Sequence, residues 1–76
     1  MEIIGGLDVH RKQITFDYVQ IETGELKTGR ICPASREQLR KWLSRFEGKE
    51  VAFALEATTG WRFVVEELWR VGVAAH

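Results

Sequence analysis

Asp8 and Glu56 are the side chains in this 76-residue chain whose setting most suggests chemistry. Each closes a run of apolar residues. The first run is Ile3-Ile4-Gly5-Gly6-Leu7, ending on Asp8 and Val9. The second is Val51-Ala52-Phe53-Ala54-Leu55, ending on Glu56. Runs of this length and character predict strands covered on both faces. An ionised carboxylate is costly to bury without compensation. Two of them at the ends of two central strands therefore predict one shared site. A divalent cation is the usual compensating charge, and magnesium needs only one or two carboxylates besides water and phosphate oxygens.

The rest of the chain must position these two acids. Residues 2–9 predict the first strand, and His10-Arg11-Lys12 a short polar connection. Residues 13–20 alternate, with Ile14, Phe16 and Tyr18 on one face and Gln13, Thr15 and Asp17 on the other, as in a half-exposed antiparallel strand. Glu22-Thr23-Gly24-Glu25 predicts a hairpin turn in which Gly24 takes positive φ. Residues 26–32 are polar and predict an edge strand, ended by Pro33. Ser35 and Gln38 fit a capping box. Leu39, Trp42, Leu43 and Phe46 then form a helical apolar stripe, stopped by Gly48. Residues 50–56 predict a strand. Thr58 or Thr59 can cap a second helix, with a stripe of Trp61, Val64, Val65, Leu68 and Val71 and a stop at Gly72. Trp69 falls off that stripe. Val73-Ala74-Ala75-His76 predicts the start of a fifth strand.

A strand–helix–strand connection within one sheet should be right-handed. The simplest sheet is a meander of the first three strands, with the 50–56 strand added parallel beside the first. Asp8 and Glu56 then lie at matching carboxyl ends, where open α/β sheets place their sites. By parity, Ile4 and Gly6 share the face of Asp8, and Ala52 and Ala54 that of Glu56. Leu7, Val9, Phe53 and Leu55 take the opposite faces.

Composition narrows the function classes. The chain has one domain's length, a hydrophobic fraction of 45% and a formal net charge of zero. Any basic surface must be local. Cys32 is the only cysteine, which excludes an internal disulfide and suits a cytoplasmic free thiol. No apolar stretch is long enough to span a bilayer, and the amino terminus is a poor signal peptide.

Ile4-Gly5-Gly6-Leu7-Asp8-Val9-His10-Arg11-Lys12 resembles the opening of the RNase H-like, RuvC-type fold. Val51-Ala52-Phe53-Ala54-Leu55-Glu56-Ala57-Thr58-Thr59-Gly60-Trp61, with Val64, Glu66, Leu68 and Gly72-Val73, resembles the amino-terminal domain of the IS-one-ten family of insertion-sequence transposases. The likeness covers essentially residues 1–76. It implies an α/β fold with a mixed sheet, ordered strand, strand, strand, helix, strand, helix and a fifth strand just begun, incomplete at the carboxyl end. It implies a DNA recombinase with four acids in Asp-Glu-Asp-Asp order, of which Asp8 and Glu56 match the first two as catalytic residues and metal ligands. The two further aspartates and a serine-bearing domain have no counterpart here. The resemblance therefore implies weak magnesium binding at best and no activity for this chain alone. It also implies DNA and a structured guide RNA as partners.

Several side chains flank the acids. His10, Arg11 and Lys12 sit beside Asp8, either as phosphate contacts or as a solvated turn. Thr58, Thr59 and Gly60 open a helix facing the acids, as a phosphate-binding amino end, as ordinary caps, or as both. Arg36, Arg40, Lys41 and Arg45 lie on the first helix and Arg62 and Arg70 on the second. The spacings Glu37–Lys41 and Glu66–Arg70 suit helical ion pairs and a solvated face. Two other classes compete with a recombinase. An actin-like ATPase or sugar kinase opens with a similar acidic strand, but the hairpin His10-Arg11-Lys12 lacks the small residues that let phosphate approach the backbone. A non-catalytic RNA-binding or assembly module is the other. The apolar 50–56 strand, flanked only by residues 73–76, further predicts self-association into a homo-oligomer.

Overall fold

The computed structural model describes residues 1–57 and 62–75. The strands are β1 (Ile3–Val9), β2 (Ile14–Gln20), β3 (Glu25–Ile31), β4 (Val51–Ala57) and β5 (Ala74–Ala75). The helices are α1 (Arg36–Leu43), extended by a 3-10 turn at Ser44–Phe46, and α2 (Arg62–Arg70). They build one five-stranded mixed sheet of order β3-β2-β1-β4-β5. β1–β2 and β2–β3 are antiparallel, whereas β1–β4 and β4–β5 are parallel. The α/β class, the element order and the placement of β4 beside β1 agree with the sequence-based expectation.

Local chemistry sets the boundaries. The first hairpin closes through the His10 N–H donating to the Gln13 carbonyl at 2.9 Å. The second turns at Gly24, whose φ of 73° few other residues adopt. The Ser35 hydroxyl accepts from the Gln38 N–H at 3.2 Å and starts α1. The other half of the expected capping box does not form, because the Ser35 N–H donates to the Pro33 carbonyl. The Ala34 N–H donates to the Lys12 carbonyl, tying the lead-in of α1 to the first hairpin.

Both helices cover the same face of the sheet. Leu39, Trp42, Leu43 and Phe46 from α1 and Val64 and Leu68 from α2 pack with Ile3, Leu7, Val9, Ile14, Ile31, Val51 and Phe53 into one core. Trp42 lies at its centre, 4.6 Å from the ring of Phe16, 5.0 Å from Phe46 and 5.6 Å from Phe53. Phe16 and Tyr18 sit over positions on β3 and β1 where a side chain would collide. A Cβ at Gly29 would come within 2.7 Å of the Phe16 ring, and one at Gly5 within 2.6 Å of Tyr18 Cβ.

The opposite face is open, which corrects the expectation that β1 and β4 are covered on both sides. Ile4 is 45% exposed and Ala54 is exposed. The reason is topological. From β3 to β4 and from β4 to β5 the chain advances across the sheet in one direction. Right-handed connections that advance the same way put their helices on one face. Covering the second face needs a helical crossover that runs the other way across the sheet, which the described residues do not contain.

The helix-to-helix contact also departs from expectation. Glu67, not Val71, completes the buried side of α2. Its side chain is 1% exposed, whereas Val71 lies past the helix end and is exposed. Arg40 grips both Glu67 oxygens at 2.9 Å, and Arg36 reaches Oε2 at 2.8 Å and Glu66 at 2.7 Å. These charge-assisted bonds satisfy the buried carboxylate. The Arg40 guanidinium, and with it that of Arg36, lowers the Glu67 pKa to about 2 against the opposing effect of burial. The expected pairs Glu37–Lys41 and Glu66–Arg70 do not form; Glu66 turns across to Arg36 on α1 instead of along its own helix. Trp42 is buried and Trp69 exposed, in line with their positions on and off the helical stripes. Trp61 and His76 lie outside the described residues.

Candidate functional site

Asp8 and Glu56 come together. In the parallel ladder between β1 and β4, Asp8 is the direct partner of Glu56. Neighbouring strands lie about 4.8 Å apart. Directly opposed residues share a face, and the core occupies the other one, so both carboxylates belong to the open face. This follows from local sequence. Leu7 and Val9 are drawn into the core, and strict alternation turns the intervening Asp8 outward. Phe53 in the core does the same for Ala54 and Glu56 across the ladder.

The two acids stand at one end of an open trough of about 540 Å³. Gly6 and Ala54 line it with almost no side chain, and Thr15 and Thr28 add hydroxyls along its β2–β3 side. A third carboxylate lines the same trough. Asp17 is the β2 partner of Gly6, and its Oδ1 would lie 3.2 Å from a Cβ at Gly6. The sequence places Asp17 on the polar face of its strand but gives it no role. Counting register across the first hairpin, from Val9 opposite Ile14 to Gly6 opposite Asp17, identifies it.

The partners of the acids differ. Asp8 is half exposed, and its Oδ2 lies 3.0 Å from His10 Nε2. His10 thus turns back onto the acid. Arg11 and Lys12 are exposed in the connecting turn and do not line the trough. Glu56 and Asp17 make no ion pair among the described residues. Thr58, Thr59 and Gly60, expected to bring a helix amino end to the acids, lie outside the described residues.

Among the described residues, no group of three or more His, Cys, Asp or Glu side chains is placed to hold a metal ion. The donor set offered is therefore the Asp8–Glu56 pair. It suits a hard, oxygen-seeking cation that keeps most of its ligands as water or phosphate oxygen. It does not suit a soft or fully protein-enclosed metal site.

Fold and trough together define a small α/β domain with an acidic, small-residue groove on an uncovered sheet face. No protein-family model matches the chain, and no match is found among curated proteins. No helix among the described residues is long and apolar enough to cross a membrane.

Proposed function

We propose that this chain is the amino-terminal part of a metal-dependent DNA recombinase with an RNase H-like, RuvC-type sheet, of the kind found in IS-one-ten transposases. Asp8 and Glu56 hold magnesium, and the chain alone is inactive. The observation that carries the proposal is the in-register pairing of Asp8 with Glu56 at the carboxyl ends of adjacent parallel strands. The sheet order, with an antiparallel meander on one side of β1 and parallel strands on the other, supports it further. So does the floor of Gly6 and Ala54, which leaves space for a bulky chain to approach both acids. A bound magnesium ion would polarise a phosphodiester and activate the attacking oxygen. The protein's own share is to fix two negatively charged oxygens side by side, with His10 restraining Asp8.

Manganese titration followed by NMR tests the proposal. The paramagnetic ion should first broaden the amide signals of Asp8, Val9, Glu56 and Ala57. Asp8→Asn combined with Glu56→Gln should abolish that broadening. Broadening centred elsewhere, or unchanged in the double variant, would remove the metal from these acids.

A further inference from the structure

The chain is neutral overall, yet its cations are not evenly spread. On α1, Arg36 and Arg40 are committed to Glu66 and Glu67. Lys41 and Arg45 make no ion pair among the described residues. They line two adjoining depressions on the side of α1 that faces the β3 edge. One, of about 360 Å³, adds Arg30 from β3. The other, of about 380 Å³, adds Lys27 from β3 and Lys49 beyond Gly48. Lys41, Ser44 and Arg45 line both, so the depressions form one strip. Its single carboxylate is Glu25, 2.9 Å from Lys27. Five cations against one acid is a local excess of four.

Arg45 is anchored against Trp42. Its Nε donates to the Trp42 carbonyl at 3.0 Å, and its guanidinium lies 5.3 Å from the Trp42 ring centre. That leaves its terminal nitrogens without an acceptor among the described residues. The indole Nε1 of Trp42, a residue that lines the same depression, is buried without a hydrogen-bond partner among the described residues. Native structures rarely leave such a group unpaired.

We propose that this strip between α1 and β3, carrying Lys27, Arg30, Lys41, Arg45 and Lys49, binds the sugar–phosphate backbone of a nucleic acid. The proposal deepens the recombinase reading by giving it a binding surface apart from the acids. Spaced cations with free donors match a chain of phosphates and carry no base code. None of the large exposed apolar side chains lines either depression, so the strip offers no wedge for a bilayer and no anchor pocket for a peptide.

The test is fluorescence anisotropy of a short labelled DNA duplex with the 76-residue chain over a range of salt. With about four phosphates neutralised, log affinity should fall against log salt with a slope of about −3 to −4. Lys41→Gln with Arg45→Gln should weaken binding about tenfold or more and flatten the slope by about 2. Arg30→Gln with Lys49→Gln, which removes the same charge from other elements, should do likewise. Arg62→Gln with Arg70→Gln on α2 should change little, and circular dichroism should find every variant folded. Equal losses in all three pairs would reduce the effect to net charge and overturn the proposal. So would no duplex binding, or binding only to polyglutamate or phosphatidylserine vesicles. Loss in Arg11→Gln with Lys12→Gln alone would move the contact to the acid end, overturning the strip while leaving the recombinase reading intact. A strip that binds DNA when manganese ignores Asp8 and Glu56 would separate the two in the other direction.

Discussion

Replacing Glu67 by Gln keeps the shape of the side chain and removes its charge from the helix interface. In the folded protein this carboxylate is 1% exposed and receives three hydrogen bonds from Arg36 and Arg40. Its pKa is lowered to about 2 from the ordinary 4.5, chiefly by the Arg40 guanidinium. A shift of that size corresponds to about 3 kcal/mol at neutral pH. Both guanidiniums are about half exposed, 47% and 48%, and solvent screens them, so about 1–2 kcal/mol is the expected net contribution. The sign follows from the depressed value. The stabilisation is fully present above pH 4.5 and is lost as pH falls from 4.5 towards 2. Glu67→Gln should therefore lower unfolding stability by about 1–2 kcal/mol at pH 7 in urea melts. The gap between wild type and variant should shrink by pH 3, because only the wild type has this proton to take up. A gap that is absent at pH 7, or the same at both pH values, would refute the assignment of Glu67 as an ionised clamp between α1 and α2.

Other substitutions probe the sheet and the trough. Gly5→Ala should prevent folding or cost more than about 3 kcal/mol, because its Cβ would collide with the Asp17 carbonyl and Tyr18 Cβ. Gly6→Ala, one residue on, should cost less than about 1 kcal/mol, since only the movable Asp17 carboxylate is in its way. Thermal melts of the two variants check this contrast. Phe53→Ala removes a fully buried ring that packs on Trp42 and Phe46 and should cost about 3–5 kcal/mol, enough to unfold a domain of this size at room temperature by circular dichroism. Asp8→Asn and Glu56→Gln should each change stability by less than about 0.5 kcal/mol in urea melts, since both positions reach solvent and neutralising one acid relieves repulsion from the other.

The contrast between what the sequence discloses and what it conceals has a physical basis. Alternation in residues 13–20 and the stripe Leu39, Trp42, Leu43, Phe46 report burial with the period of the backbone, so those elements and their buried faces were legible. The parity of Asp8 and Glu56 was legible for the same reason, once β4 was placed beside β1. Coverage of the sheet was not. Ile4 and Ala54 are apolar and exposed on a face that none of the described helices covers, and hydropathy alone reads such a strand as buried twice. The direction of the crossovers held the answer. Glu67 was concealed because a carboxylate next to Leu68 reads as solvated. The clue was on the other helix, where Arg36 and Arg40, one turn apart, present two cations on one face. Asp17 was concealed because a polar residue on an exposed strand face needs no explanation until register sets it against Gly6.

Asp8 and Glu56 are proposed to form one cation site at the end of the trough. Anomalous diffraction from a crystal soaked in manganese tests it most directly. A peak should lie about 2–2.5 Å from an oxygen of each carboxylate and be absent in crystals of Asp8→Asn. Manganese peaks elsewhere on the protein, with none between these two side chains, would contradict it.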